Sequence, residues 1–181
     1  ALLVGEREAT LRGRVLTAGE ALSELRLAPL RLLPKESLAL MNGTSVMTGI
    51  ACLCFERALR LARLASAVTA IIVDVTHGNR DHFDPRIFAL KPHPGQTLCA
   101  AWIRADLASD VPPPPPARLQ DRYSVRCAPH VIGVLLDALA HARPMLEIEV
   151  NGIDDNPLVD PDSGAVLHGG NFYGGHVSFV L

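Results

Sequence analysis

Apolar side chains recur at three- and four-residue intervals through residues 45–75, the longest ordered pattern in the chain. Phe55, Leu59, Ala62, Ser66, Thr69 and Val73 fall on one side, and Glu56, Arg57, Arg60 and Arg63 on the other, which predicts an amphipathic helix. Beyond Arg63 no charge appears until Asp74. That part of the helix is apolar all round and should be buried on every side, its alanines admitting close neighbours. A helix of this kind belongs at the centre of a large bundle, or across a subunit interface. A shorter helix is expected from Pro34, which suits a first helical position, through Leu38, Leu40 and Met41. Asn42, Gly43 and Thr44 break it, because Gly weakens a helix interior and Asn and Thr compete for backbone bonds.

The remaining chain is read around these two helices. Residues 1–33 mix short apolar pieces with Gly5, Gly13 and Gly19 and are expected to be a surface connector, with Thr17 capping a short helix over residues 18–25. Residues 77–95 predict a loop with one helical turn at 85–90, followed by a helix over 97–108. Five consecutive prolines, Pro112 to Pro116, make residues 111–118 an extended linker. A helix is expected over 131–142, limited by Pro144. Leu146, Glu147, Ile148, Glu149 and Val150 alternate as a strand does. A polar turn at 151–157, a hairpin-like loop around Asp162, Ser163 and Gly164, and the start of a last helix complete the pattern. The expectation is a mainly α fold in which residues 1–181 are the central part of one domain: connector 1–33, helices 34–110, linker 111–118, and motif-bearing residues 119–181.

Composition narrows the function. With 181 residues, 49% of them hydrophobic, the chain can bury one core, and 4% aromatics with abundant Leu and Ala lean helical. A net charge of −2 with scattered Lys and Arg argues against nucleic acid. Cys52, Cys54, Cys99 and Cys127 read as reduced core thiols of a cytoplasmic protein, since no secretory signal opens the chain. Residues 37–55 carry no charge, but Asn42, Thr44, Ser45 and Thr48 favour a buried soluble segment over a membrane span. No metal is expected. Cys52 and Cys54 would point apart on a helix, His93, His168 and His176 form no chelating pair, and Asp154, Asp155, Asp160 and Asp162 lack the frame of a calcium loop. Ala1 and the apolar end read as cuts in a longer polypeptide.

Candidate chemistry centres on residues 119–129. Gln120, Tyr123 and Arg126 recur every third residue, so on one helix or 3₁₀ turn they share a wedge of roughly 120°. Arg presents a planar fork for a carboxylate, Tyr a hydroxyl that gives or takes a proton, and Gln an orientable amide. Such a set suits an amino acid or another carboxylate. Breaks rich in Gly and Asn at residues 42–44, 154–157 and 169–172 add unpaired backbone groups of the kind that hold ligands where helices begin or end.

Five motifs occur in order: Pro34-Lys35-Glu36 with residues 40–49, then Lys91-Pro92-His93-Pro94-Gly95-Gln96, then residues 120–129, then Asp155-Asn156-Pro157-Leu158, then His168-Gly169-Gly170-Asn171-Phe172. Together they resemble the aromatic amino acid ammonia-lyases, the family of histidine, phenylalanine and tyrosine ammonia-lyases and related aminomutases. The resemblance implies a long-helix bundle of the fumarase/aspartase-like ammonia-lyase type. It also implies non-oxidative elimination of ammonia from an L-aromatic amino acid to give an arylacrylate. The family's electrophile is 4-methylideneimidazole-5-one, made from an Ala-Ser-Gly tripeptide that this chain lacks. By the same resemblance Arg126 clamps the substrate carboxylate, and Asn42 and Gln120 hydrogen-bond to the carboxylate and the prosthetic ring. Tyr123 serves near the amine as a proton carrier, and Asn171 and Phe172 line the substrate pocket. A cytoplasmic homotetramer with active sites shared between subunits is implied, without nucleic acid or membrane partners.

Residues 42–49 and 91–96 look more like bacterial phenylalanine or tyrosine lyases than histidine lyases. Histidine ammonia-lyase, an aminomutase, and a non-catalytic fragment acting as a structural or oligomerising module stay open. Gly152, Asp154 and Gly175 depart from the family's usual Ser, Thr and Gln, and the lid tyrosine is absent. Alone, this chain is expected to be inactive.

Overall fold

The computed structural model describes residues 1–180 and divides into two compact units, the first made of residues 1–43 and 154–172, the second of residues 44–153 and those from 173 onward. In the first unit, β1 (Glu8–Leu11) pairs antiparallel with β2 (Arg14–Thr17), Glu8 opposite Thr17 and Leu11 opposite Arg14. Arg12 and Gly13 join them with φ of 52° and 78°, the left-handed pair that a two-residue hairpin loop needs. Thr17 then starts α1 (Ala18–Glu24). Its hydroxyl accepts from Glu20 N at 3.3 Å, while the Glu20 carboxylate accepts from Thr17 N at 2.9 Å, a reciprocal capping box. Ala18, Ala21 and Leu22 are buried, so the helix expected behind Thr17 forms, and a hairpin that the sequence reading did not name precedes it. Helix α2 (Glu36–Asn42) follows and ends at Gly43. Short strands β3 (Leu158–Val159) and β4 (Val166–Leu167) pair antiparallel around the expected turn, where Gly164 takes φ 71°.

Helices make up the second unit. The long helix α3 (Ser45–Val75) occupies the predicted range. A 3₁₀ turn at Arg80–Phe83, α4 (Pro85–Leu90) and α5 (Pro94–Asp106) follow, then a one-turn helix α6 (Tyr123–Arg126), α7 (Ala128–Asn151) and α8 (Gly175–Val180). Helices α3, α5 and α7 pack on one another. Ala62, Val73, Phe83, Cys99, Ile103 and Leu136 form their common core. At the crossing of α5 and α7, Gly95 faces Gly133, and a methyl group on Gly133 would lie 2.5 Å from Gln96 N. Asp137 on α7 accepts from Gly95 N at 2.7 Å, closing one of the open amides at the start of α5.

Three expectations are corrected. Helix α7 runs through Pro144 to Asn151, so the helix does not stop at Pro144 and residues 146–150 are not a strand. Pro144 removes one bond, to the Ala140 carbonyl, and both residues lie on the exposed side, where water can take the freed acceptor. Leu146 packs with Ala51 and Val177, and that burial outweighs a five-residue alternation. Next, burial on every side of α3 is not reached within this chain: Thr48, Ala51, Ala62, Ser66, Thr69, Ala70 and Val73 are buried. Leu61, Leu64, Val68, Ile71 and Ile72 stay exposed within the chain. Last, Cys99 is buried but Cys54 is exposed and Cys52 and Cys127 are half-buried, so only one of the four is a core thiol. Burial pushes the Cys99 thiol up, against the lowering effect of the Ser66 hydroxyl 3.2 Å away. Among the described residues, no single helix is long and apolar enough to cross a membrane.

Candidate active site

Helix α6 is set between two boundaries. Arg122 before it is extended (φ −60°, ψ 153°), and Pro129 after it suits the opening turn of α7. The helix therefore carries Tyr123 and Arg126 but not Gln120, which lies in an exposed bend ahead of it. The expected three-residue wedge is reduced to two. Tyr123 and Arg126 are three apart on one turn, and the guanidinium lies over the phenol ring, 4.5 Å from its centroid. Tyr123 is 72% exposed. Arg126 is half-buried, and its Nε is buried with no hydrogen-bond partner among the described residues. A buried charged donor without an acceptor is costly, and a planar carboxylate is the ligand that would relieve it.

The other candidates belong to the first unit. Asn42 is the last residue of α2 and is exposed. After it the chain turns at Gly43, where a methyl group would come within 2.7 Å of both the Ala39 carbonyl and the Asp154 carboxylate. The start of α2 is anchored to the same loop. Lys35, at φ 74°, donates from Nζ to Asp155 at 2.7 Å and also to the Pro157 carbonyl. Lys35 holds the Asp155 carboxyl below its ordinary value, helped by the backbone N–H of Asn156. Asn156, joined to Pro157 by a cis peptide, accepts from Gly169 N at 3.0 Å. Two motifs of the sequence are thereby tied together, and Asn171 and the half-exposed ring of Phe172 follow two and three residues after Gly169. The structure thus groups Asn42, Asn171 and Phe172 in one unit and Gln120, Tyr123 and Arg126 in the other.

Sequence reasoning passed over Asn79, His82 and Asp121, whose side chains hold the start of the Gln120–Arg126 run. Their only visible signal was the place of Asp121 beside Gln120.

The family model for aromatic amino acid lyases matches residues 1–181. The chain belongs to that family. Histidine ammonia-lyase of Gloeobacter violaceus is 42% identical over 189 residues, covering 99% of this chain and 35% of the relative. Histidine ammonia-lyase of Aromatoleum aromaticum is 44% identical over 183 residues, with 99% and 35% covered. Among solved structures, tyrosine aminomutase from Streptomyces globisporus superposes with a TM-score of 0.81 at 35% identity, over 99% of this chain and 38% of that one. This aromatic amino acid lyase chain therefore spans about a third of the length of the curated relatives it matches. Its mainly α fold is that of the ammonia-lyases. The preference for phenylalanine or tyrosine drawn from residues 42–49 and 91–96 finds no support in these relatives. Histidine lyase and aminomutase fit them at least as well.

Proposed function

We propose that the protein to which this chain belongs releases ammonia from an L-aromatic amino acid and leaves the arylacrylate, with histidine the first substrate to test. The observation that carries the reading is the buried, unpartnered Nε of Arg126 beside the exposed Tyr123. Arg126 holds the substrate carboxylate. That contact fixes the α-carbon, so that the C–N bond to be broken and the β-hydrogen to be lost stand in a constant relation to the Tyr123 hydroxyl, which moves a proton. Asn171 and Phe172 are the first unit's contribution to substrate binding. A 4-methylideneimidazole-5-one group would supply the electrophile that makes the amine a leaving group. Gln120, exposed and outside any helix, offers an amide that suits its polar ring, and Asn42, exposed at the end of α2 in the other unit, offers the same kind of amide.

The same reading makes the protein a cytoplasmic homotetramer with sites shared between subunits and no nucleic-acid or membrane partner. Likeness to the tyrosine aminomutase supports a second reading, in which the ammonia returns to the β-carbon. One assay separates them. The full-length protein is offered histidine, phenylalanine and tyrosine while ammonia, arylacrylate and β-amino acid are followed. Arylacrylate with equimolar ammonia supports the lyase, β-amino acid supports the mutase, and no turnover of any of the three would sink both.

A further inference from the structure

We propose that Asn79, His82 and Asp121 form a clasp that sets the position of Gln120, Tyr123 and Arg126, so that His82 and Asp121 are positioning residues of the lyase site; this rests on the reading of that site given above. All three belong to the second unit. The clasp is rooted at the end of α3, where Gly78 N donates to the Val73 carbonyl at 2.7 Å. A methyl group on Gly78 would stand 3.0 Å from the Asp121 carboxylate and 3.2 Å from Val73 Cα, so the carboxylate fills a niche that a larger residue would narrow. Asn79 N donates to Asp121 Oδ2 at 2.8 Å. Both ends of the Asn79 amide are used: Oδ1 accepts from Asp81 N at 3.0 Å, and Nδ2 donates to the Leu119 carbonyl at 3.0 Å. Three residues on, His82 Nε2 accepts from Asp121 N at 3.0 Å.

These contacts pin the backbone on each side of Gln120, at the Leu119 carbonyl and at the Asp121 amide. Gln120 lies outside any helix, so its direction is set by that bracket and not by a helical ladder. Three residues after Gln120 α6 begins, and the orientation at which the chain enters it passes to Tyr123 and Arg126. Rigidity comes from below. His82 and Asp121 side chains are 13% and 12% exposed, and Phe83, in the same 3₁₀ turn as His82, is fully buried in the core. Nε2 of His82 serves here as the acceptor for the Asp121 N–H and lies 3.5 Å from Asp121 Oδ2. A side chain with an acceptor oxygen can replace it, and an apolar one cannot.

The test uses the full-length enzyme, the amino acid it turns over, and the variants His82→Leu, His82→Gln, Asp121→Ala, Asp121→Asn and Arg126→Ala. A misplaced site residue costs turnover, so His82→Leu and Asp121→Ala should lower kcat roughly 10- to 100-fold. His82→Gln and Asp121→Asn, which keep an acceptor, should restore most of it. Thermal unfolding run alongside separates site geometry from stability. Unchanged kcat in His82→Leu and Asp121→Ala overturns the clasp. So does a kcat loss that follows melting temperature and is not restored by the acceptor-bearing variants. Full turnover in Arg126→Ala would instead overturn the reading of the site, and the clasp with it.

Discussion

Arg126 and Tyr123 divide the work of one turn of helix, and their substitutions should fail in different ways. Arg126→Ala removes the donor fork and leaves a bound carboxylate without its charge-assisted contact, worth about 1.5–3 kcal/mol. In the full-length enzyme KM should rise about 10- to 100-fold, and Arg126→Lys should recover only part of this, because an ammonium lacks the planar fork. Unchanged KM in Arg126→Ala would mean that the carboxylate binds elsewhere. Tyr123→Phe keeps the ring under the guanidinium and removes only the hydroxyl. The fold should therefore survive while kcat falls roughly 10²- to 10⁴-fold, and near-normal ammonia release would refute the proton role. The residue types of this pair were legible in the sequence because their three-residue spacing forces contact on any helical turn. The position of Gln120 was not, since nothing in the local sequence announces that Arg122 is extended and that the helix starts only at Tyr123. The bond between Asp121 and His82 spans 39 residues, beyond the reach of any local pattern.

Among the elements, the meeting of α5 and α7 tolerates least. A Cβ on Gly133 would strike Gln96 N at 2.5 Å, Cα at 2.6 Å and Cγ at 2.7 Å, and because the two shortest contacts are to backbone no change of rotamer relieves the clash. Gly133→Ala should cost about 1–3 kcal/mol, read as a lower melting temperature; an unchanged value would show that the helices can slide apart freely. Helix α4 responds to pH instead. Asp84 caps it through Arg86 N, and the Arg86 guanidinium, then that backbone N–H, lowers the carboxyl from 3.8 to about 2. A lowered folded-state value means that the stabilisation is complete above about pH 4 and is lost as pH falls through about 2. Asp84→Asn should thus be less stable than the native chain at pH 5, with the gap closing by pH 2, as urea unfolding at successive pH values would reveal. A gap that persists at pH 2 would exclude the carboxylate as its source. Long periodic elements such as α3 were legible because thirty or so residues average out local exceptions. The hairpin of β1 and β2 was missed because Arg12-Gly13 lacks the Asn-Gly or Asp-Gly signature. The carboxyl end of α7 was misread because five alternating residues and one proline fit a strand as well as a helix whose exposed side forgives the proline.

For the molecule as a whole, the decisive feature is the second stripe on α3. Leu61, Leu64, Val68, Ile71 and Val75 follow the same three-and-four spacing as the buried stripe and are exposed within this chain. The sequence foretold an all-round apolar helix, and residues 1–181 supply partners for a single side. A continuous apolar strip of this length is seldom left to water; either the rest of the polypeptide covers it or, on the assembly proposed above, neighbouring subunits do. The consequence can be measured with Leu64→Glu combined with Ile71→Glu in the full-length protein. If the strip faces solvent, two surface substitutions should each shift stability by no more than about 0.5 kcal/mol and leave the molar mass unchanged. Covered by a neighbour, each carboxylate would have to be desolvated without a counter-charge, a penalty of several kcal/mol per ion, so the assembly should dissociate while helical content persists. Light scattering distinguishes the two, and an unchanged mass would sink the proposed arrangement. Activity adds a second reading of the same variant. Where sites are shared between subunits, loss of mass and loss of turnover must coincide, whereas Arg126→Ala should lose substrate affinity at unchanged mass.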